Sequence, residues 1–61
     1  MNIFKKYRKQ KGFTQIELAE LLEVDRSTIS KWENGENYPK INRLQEISST
    51  LGVPVQELLP K

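Results

Sequence analysis

The sequence has no cysteine and no histidine, and each absence excludes a kind of chemistry. Without cysteine the chain forms no disulfide and offers no thiolate to a metal ion. Without histidine it lacks the commonest general base and the commonest zinc ligand. The hydroxyl groups of Ser27, Thr28 and Ser30 therefore have no histidine to activate them as nucleophiles. We expect no enzyme, no metal and no cofactor, and the sequence indicates no small-molecule ligand.

Long apolar runs are also missing, because no more than two apolar residues stand side by side. A membrane-spanning helix needs about 20 such residues, and a secretory signal also contains an apolar run. The 61 residues suffice for a single domain over residues 1–61, and a chain of this size buries only roughly 60% of its unfolded surface. The sequence therefore predicts a soluble, cytoplasmic module with a thin core and no membrane partner.

The formal net charge is only +2, but the charges are unevenly distributed along the chain. Residues 1–12 contain five basic residues and no acidic one, whereas residues 13–24 contain three glutamates and no basic one. The basic run has two interpretations, a solvated helix face or a contact with a polyanion, and charge patterning alone favours neither. The acidic stretch is interpreted as a solvated face, since no metal-binding partner accompanies it.

Glycine and proline divide the chain into segments that have the length of short helices. The second segment begins with Thr14 followed by Glu17, which is the pattern of a capping box. The third follows Asp25, a residue that often caps helix N-termini. The apolar spacing predicts five short helices and no strand, with the helices at about 3–11, 15–22, 26–33, 41–51 and from 55 onward.

Apolar and aromatic residues at helical spacing predict the core. Trp32 lies three residues after Ile29, so it is assigned to the core and not to base stacking. Tyr38, in a loop beside Pro39, is ambiguous between the core and the surface. The fourth helix is expected to bury one face that contains Ile41, Leu44, Ile47 and Leu51.

Only residues 23–25 separate the second predicted helix from the third. Such a short connection forces a sharp angle between two short helices, and this arrangement is the helix-turn-helix unit. The second helix of that unit can enter the major groove of DNA. The sequence thus predicts an all-α, compact bundle of five short helices that contains a helix-turn-helix.

The residues around this connection resemble the Cro and phage-repressor type of helix-turn-helix domain, the Xre-like family. The matching residues are Phe13-Thr14-Gln15, Leu18-Ala19 and the run 24–35, continued by Pro39, Leu44, Ile47, the run 51–53 and Leu58-Leu59. The resemblance covers about residues 3–59. It implies a lambda-repressor-like DNA-binding fold and a bacterial or phage transcriptional regulator, a repressor, that binds a palindromic operator in double-stranded DNA as a homodimer.

Carried over residue by residue, the resemblance also implies roles for individual side chains. The base-reading residues are Arg26, Ser27, Thr28 and Lys31, types that can donate to guanine or contact several bases. Gln15 matches a phosphate contact at a helix N-terminus, where free backbone N–H groups favour an anion. The full set of candidate phosphate contacts is Thr14, Gln15, Asn34, Lys40, Arg43, Lys5 and Lys9.

The resemblance also implies an ion pair. Arg8 and Glu33 match a pair that the family often joins as an ion pair, and this pair is either partly buried or exposed. Any dimer interface is expected around the last helix, at Val55, Leu58, Leu59 and Pro60, and part of this apolar stripe is expected to lie in the core.

The chain departs from the family pattern at two positions. Glu23 stands where the family often has glycine, which costs on the order of 1 kcal/mol if the backbone there is left-handed. Pro54 replaces a common helix cap, but proline suits the first helical position.

An alternative function for the same fold is an antitoxin-like protein-interaction module, whose helices cover a partner protein. Antitoxins of this fold usually bind DNA as well, so the two functions overlap. The preference of the chain for selected duplexes over random DNA discriminates between them.

Overall fold

The computed structural model describes residues 2–59. Within that range the chain forms four α-helices, one 3₁₀ turn and no strand. The elements are α1 (Ile3–Gln10), α2 (Gln15–Leu22), α3 (Arg26–Asn34), α4 (Ile41–Leu51) and the 3₁₀ turn (Val55–Glu57). None of the helices in the described range is both long enough and apolar enough to cross a membrane.

The all-α fold class is confirmed, and four of the five predicted helices lie close to their expected bounds. The fifth differs, because the segment after Pro54 forms only a 3₁₀ turn. Its closing bond joins the Leu58 N–H to the Val55 carbonyl at 2.8 Å, an i to i+3 contact. Leu58 is buried directly after this bond, so the chain turns into the core before an α-helix can develop.

The N-terminal caps of α1, α2 and α3 differ in their hydrogen bonds. Thr14 and Glu17 form the predicted capping box, in which each side chain binds the other residue's backbone N–H. Asp25 occupies the N-cap position of α3, but its side chain makes no capping hydrogen bond. Asn2 caps α1 by accepting from the N–H groups of Phe4 and Lys5.

The turn between α2 and α3 is left-handed at a residue other than glycine. Glu23 has φ 57° and ψ 44°. Its N–H donates to the Glu20 carbonyl at 3.2 Å, and the Val24 N–H donates to the Ala19 carbonyl at 3.0 Å. These two bonds form a Schellman motif, which usually places glycine at the left-handed position. Glu23 is the single residue other than glycine with positive φ in the described range.

One core joins all four helices and the 3₁₀ turn. Leu51 brings α4 into it, Leu58 brings in the segment that follows the 3₁₀ turn, and Leu18, Ala19 and Leu22 bring in α2. The buried apolar residues are Phe4, Leu18, Ala19, Leu22, Ile29, Trp32, Leu44, Ile47, Leu51 and Leu58. The helix-turn-helix therefore rests on a support built by the rest of the chain.

The expected burial of Ile41 is wrong, because this side chain is 61% exposed. At about 100° per residue, Ile41 points roughly 90° away from the mean direction of Leu44, Ile47 and Leu51. Ile41 lies three residues before Leu44, and this spacing places its side chain near the buried face of α4 but not on it. The first residue of α4 is therefore an apolar side chain on the surface.

Tyr38 is a half-exposed residue with a structural role. The edge of its ring packs on Phe4, with 5.7 Å between the ring centroids, and Phe4 in turn contacts Trp32. Its hydroxyl donates to the Leu58 carbonyl, which fastens the 3₁₀ turn to the loop before α4. Partial burial raises the pKa of the Tyr38 hydroxyl above its usual value of 10.0.

The left-handed conformation of Glu23 yields a stability prediction. Glu23→Gly should raise the free energy of unfolding by about 0.5–1 kcal/mol, because glycine adopts positive φ without a steric penalty. Urea unfolding, followed by the fluorescence of the buried Trp32, measures the change.

The control is Glu20→Gly, at an exposed position inside α2. Glycine there should lower the stability by about 1 kcal/mol, its ordinary penalty in a helix interior. A loss of stability in both variants would contradict the strain assigned to Glu23.

Candidate nucleic-acid interface

A buried ion pair lies behind the helix-turn-helix. Arg8 Nε donates to Glu33 Oε2 at 2.6 Å, and Arg8 Nη2 donates to Glu33 Oε1 at 3.1 Å. Both residues are only 7% exposed. Arg8 Nη1 also donates to the Phe13 carbonyl at 2.8 Å, between α1 and α2. Of the two alternatives left by the sequence, the structure has the buried pair, and it joins α1, the loop before α2 and the end of α3.

Gln15 extends this pair toward the surface. Its Nε2 donates to Glu33 Oε1 at 3.1 Å. Its Oε1 accepts from Arg26 Nη1 at 3.3 Å. Gln15 is the first residue of α2, and Arg26 is the first residue of α3. The side chains at the starts of the two helices of the motif are therefore in direct contact.

Both of these helix starts present backbone donors. In α2 the capping box takes the Thr14 and Glu17 N–H groups. Among the described residues, none accepts a hydrogen bond from the backbone N–H groups of Gln15 and Ile16. The N–H group of Arg26, at the start of α3, likewise has no acceptor there. Free N–H groups at the positive end of a helix dipole are suited to binding an anion.

An open depression of about 680 Å³ lies at the same place. Lys9 and Arg26 contribute positive charge to its walls. Lys5 lies one helical turn before Lys9 on α1 and is exposed. The complete lining is Arg8, Lys9, Gly12, Phe13, Thr14, Gln15, Ile16 and Arg26. Four of the residues predicted from the sequence to contact DNA thus border one depression: Lys9, Thr14, Gln15 and Arg26.

The outward face of α3 carries the other predicted base readers. Ser27 and Lys31 are exposed and lie one turn apart, whereas Thr28 is half-buried at the edge of this face. Ile29, Trp32 and Glu33 occupy the buried face of the same helix.

Asn34 lies at the C-terminal end of α3, and its side chain is exposed. Its Nδ2 donates to Ser30 Oγ at 3.3 Å, one turn earlier in the same helix. Asn34 is a candidate phosphate contact outside the depression, and its side chain already has a hydrogen-bond partner within α3.

The two predicted clamps beside α4 differ in their surroundings. Lys40 is exposed at the N-cap position of α4. Arg43 is engaged, because its Nη1 donates to the Leu22 carbonyl at 2.8 Å and to Glu46 Oε1 at 2.8 Å. The Leu22 carbonyl belongs to the last turn of α2, so Arg43 supports the turn that contains Glu23. Lys40 is thus the freer of the two candidates for a phosphate contact.

The assignment of Leu58 to a dimer interface needs correction. Leu58 is 1% exposed and packs in the core, so its side chain has no free surface. Val55 is half-buried, and Leu59 is 40% exposed. Pro60 lies outside the described residues. On this side of the molecule, Leu59 is the predicted interface residue with the most accessible apolar surface.

Sequence reasoning missed one polar contact that positions α3. Asn2 Nδ2 donates to the Trp32 carbonyl at 2.9 Å and so ties the start of α1 to the C-terminal part of α3. An asparagine directly before an apolar helical segment is a signal for an N-cap. Nothing in the local pattern indicates the second bond, which crosses 30 residues.

Comparison with known proteins identifies relatives of this chain. A family model described as helix-turn-helix matches residues 4–58. The HTH-type transcriptional activator BcrR of Enterococcus faecalis is 48% identical over 52 residues, which are 85% of this chain and 26% of BcrR. The HTH-type transcriptional regulator SinR of Bacillus subtilis is 43% identical over 56 residues, 90% of this chain and 50% of SinR. The chain thus spans about a quarter to a half of these relatives.

Solved structures match the whole helical unit. A crystal structure of SinR, the master regulator for biofilm formation, in complex with DNA has a TM-score of 0.86 and 39% identity, and it covers 95% of this chain and 97% of that one. The hydroxypropylphosphonic acid epoxidase from S. wedmorenis has a TM-score of 0.86 and 32% identity, with 95% of this chain but only 31% of the epoxidase covered. The same helical unit therefore forms part of an enzyme chain as well.

The buried ion pair yields a prediction about stability. Glu33→Ala should lower the free energy of unfolding by about 3 kcal/mol, because it leaves the charge of Arg8 buried without a partner. Thermal unfolding measures the loss as a lower melting temperature.

The matched control is Glu46→Ala, which removes the partner of Arg43 in a solvent-exposed pair. That change should cost less than about 1 kcal/mol. An unchanged melting curve for Glu33→Ala would rule out a stabilising role for the buried pair.

Proposed function

The chain belongs to the helix-turn-helix family, and we propose that it binds double-stranded DNA sequence-specifically as a transcriptional regulator. The observation that carries this proposal is the meeting of Gln15 and Arg26, from the starts of α2 and α3, beside an open basic depression. The SinR structure supports it, because that protein was solved with DNA and matches this chain over 95% of its length.

In this proposal α3 enters the major groove and reads base edges. Ser27 and Lys31 lie on its exposed face, and Arg26 is its first residue, at the end of a recognition helix that contacts base edges. Arginine and lysine donate to the O6 and N7 atoms of guanine, and each good bidentate contact is worth about 1–3 kcal/mol of discrimination. Thr28, at the edge of the face, contacts a base or the neighbouring sugar-phosphate backbone.

Phosphate groups bind on both sides of α3. One phosphate lies in the depression, where it accepts from the N–H groups at the start of α2 and from Lys9. Thr14 borders the same depression, and Lys5 extends the positive surface along α1. Lys40, at the start of α4, contacts the sugar-phosphate backbone of the DNA on the other side of α3. These contacts set the register of the protein on the duplex but carry no sequence information.

The proposed operator is a palindrome bound by two copies of the chain. A single recognition helix reaches few base pairs, and two-fold related half-sites about one helical turn apart double the number. Leu59 and the half-buried Val55 offer the apolar surface for contact between the copies. Occupation of a promoter by this dimer, in a bacterial or phage setting, represses transcription.

The base-reading role of Arg26 predicts a selective loss. A preferred duplex is first selected from random DNA, and affinities are then measured for every single base-pair variant of it. Arg26→Ala should remove the preference at one base pair, a loss of about 1–3 kcal/mol, and leave the other positions nearly unchanged.

The comparison variant is Lys40→Ala, which removes a proposed phosphate contact. It should weaken binding to all duplexes alike and reduce the slope of log affinity against log salt by about 1. A wild-type chain that prefers no duplex over random DNA would contradict the proposed function and favour the protein-interaction module. Equal profiles for the two variants would contradict the assignment of their roles.

The proposed dimer predicts cooperative binding. Leu59→Ser should lower affinity for the selected palindrome and leave affinity for an isolated half-site unchanged, because the change removes contact between copies but not contact with DNA. Titration of both duplexes, with the stoichiometry read by analytical ultracentrifugation, measures the difference. One copy per palindrome in the wild type would contradict the dimer.

A further inference from the structure

The outer side of α2 has an apolar edge, although its inner side is already buried in the core. Leu21, on this edge, is 55% exposed. A groove of about 340 Å³ lies beside it, and the groove is lined by Phe13, Glu17, Glu20 and Leu21. These four residues form the Leu21 groove. An apolar surface that is bordered by polar residues is typical of an interaction site.

Two carboxylates give the Leu21 groove a negative charge. Glu17 and Glu20 are exposed, and no ion pair of the described range includes either of them. The groove lies on a different side of α2 from the basic depression, because Ile16, which lines that depression, is about 140° away from Leu21 around the helix. Its charge repels DNA, so the occupant that suits it is a positively charged surface with an apolar or aromatic centre.

One flank of α1 is a surface of that kind. Ile3 and Tyr7 lie one turn apart and are half-buried against the core. Lys6 is exposed, and its Nζ lies 5.5 Å from the centroid of the Tyr7 ring, within the range of a cation–π contact. Lys11 is exposed one turn after Tyr7. Ile3, Lys6, Tyr7 and Lys11 form the Tyr7 face, which combines a partly exposed ring with two positive charges and no acidic residue.

The Tyr7 face is separate from the lysines that are proposed to contact DNA. Lys5 and Lys9 lie one turn apart on α1, and Lys9 borders the basic depression. At 100° per residue, Tyr7 is about 160° away from each of them around the helix. The dimer contact proposed at Leu59 also lies outside both the Tyr7 face and the Leu21 groove.

We propose that the Leu21 groove of one copy of the chain receives the Tyr7 face of a second copy. Each surface has an apolar centre, and the two carboxylates of one meet the two ammonium groups of the other. The contact is heterologous, because α2 of one copy touches α1 of the next. Exposed ion pairs contribute little individually, so free chains associate weakly. The contact gains effect where a duplex holds copies side by side at high effective concentration, a consequence that rests on the proposed DNA binding.

Charge reversal in the full chain tests the contact without DNA. Every variant also carries Leu59→Ser, so that the proposed dimer contact does not contribute, and sedimentation equilibrium at low salt measures self-association. Lys6→Glu and Glu20→Lys should each weaken it by about threefold to tenfold, because an attraction becomes a repulsion. An equimolar mixture of these two variants should recover most of the association, since opposite charges again meet at each contact between unlike chains.

The matched control is Lys5→Glu, which makes the same change of net charge on the same helix but outside the Tyr7 face. It should leave self-association nearly unchanged. The double variant Lys6→Glu with Glu20→Lys should associate as the Leu59→Ser chain does. The proposal is overturned if the mixture and the double variant do not recover, or if the Leu59→Ser chain stays monomeric up to millimolar concentration.

A spin label locates the contact, because the chain has no cysteine of its own to compete with an introduced one. Gln10→Cys, at an exposed position one turn after Lys6, carries the nitroxide and is mixed with isotope-labelled chain. The backbone amide signals of Glu20 and Leu21 should broaden. The same label on Asn42→Cys, at an exposed position of α4, should not broaden them. Broadening centred on any other surface would overturn the proposal.

The outcomes also distinguish a second copy from other occupants and from the proposed function. Charge reversals that leave self-association unchanged would overturn the proposal and leave the Leu21 groove to a basic surface of another protein. None of these measurements contains DNA, so their failure leaves the DNA-binding function intact. Conversely, a chain that prefers no duplex would contradict the proposed function but not the contact between copies.

Discussion

The ion pair between Arg8 and Glu33 is the interaction on which the rest of this structure depends. A chain of 61 residues buries a thin core, and two charges inside it are stable only when their hydrogen bonds are completed. Arg8 uses both oxygens of Glu33 and the Phe13 carbonyl. These bonds fix α1, the loop before α2 and the end of α3 relative to one another. No buried side-chain nitrogen or oxygen lacks a partner in the described range.

The turn of the motif shows a different balance between local strain and tertiary support. Glu23 adopts a left-handed conformation that favours glycine, yet its two backbone bonds close a complete Schellman motif. Arg43 donates to the Leu22 carbonyl just before the turn, and Val24 packs against the core just after it. Contacts on both sides therefore hold a conformation that the local sequence disfavours. The angle between α2 and α3 follows from these contacts and not from the turn sequence alone.

Sequence reasoning predicted the parts of this fold that depend on local chemistry. The capping box of Thr14 and Glu17, the glycine stops and the bounds of α4 all follow from residues near one another in the chain. It was wrong about Ile41, because a spacing of three residues does not settle direction at the first position of a helix. It also included Leu58 in an interface, since a short apolar segment predicts that some of its members lie in the core but not which ones. The bond from Asn2 to the Trp32 carbonyl crosses 30 residues and has no local signal.

The candidate site shows why the remaining part depends on tertiary structure. The sequence indicates Gln15, Arg26 and Glu33 separately, as a phosphate contact, a base reader and half of an ion pair. Their connection exists only because the fold brings the start of α2 beside α3, where Gln15 contacts both Arg26 and Glu33. A small domain has few polar side chains near its core, so one carboxylate both neutralises Arg8 and orients Gln15. Stability and recognition are consequently joined at Glu33, where a substitution disturbs both. They can be separated at Gln15 and Arg26, because these side chains lie on the solvent side of the pair.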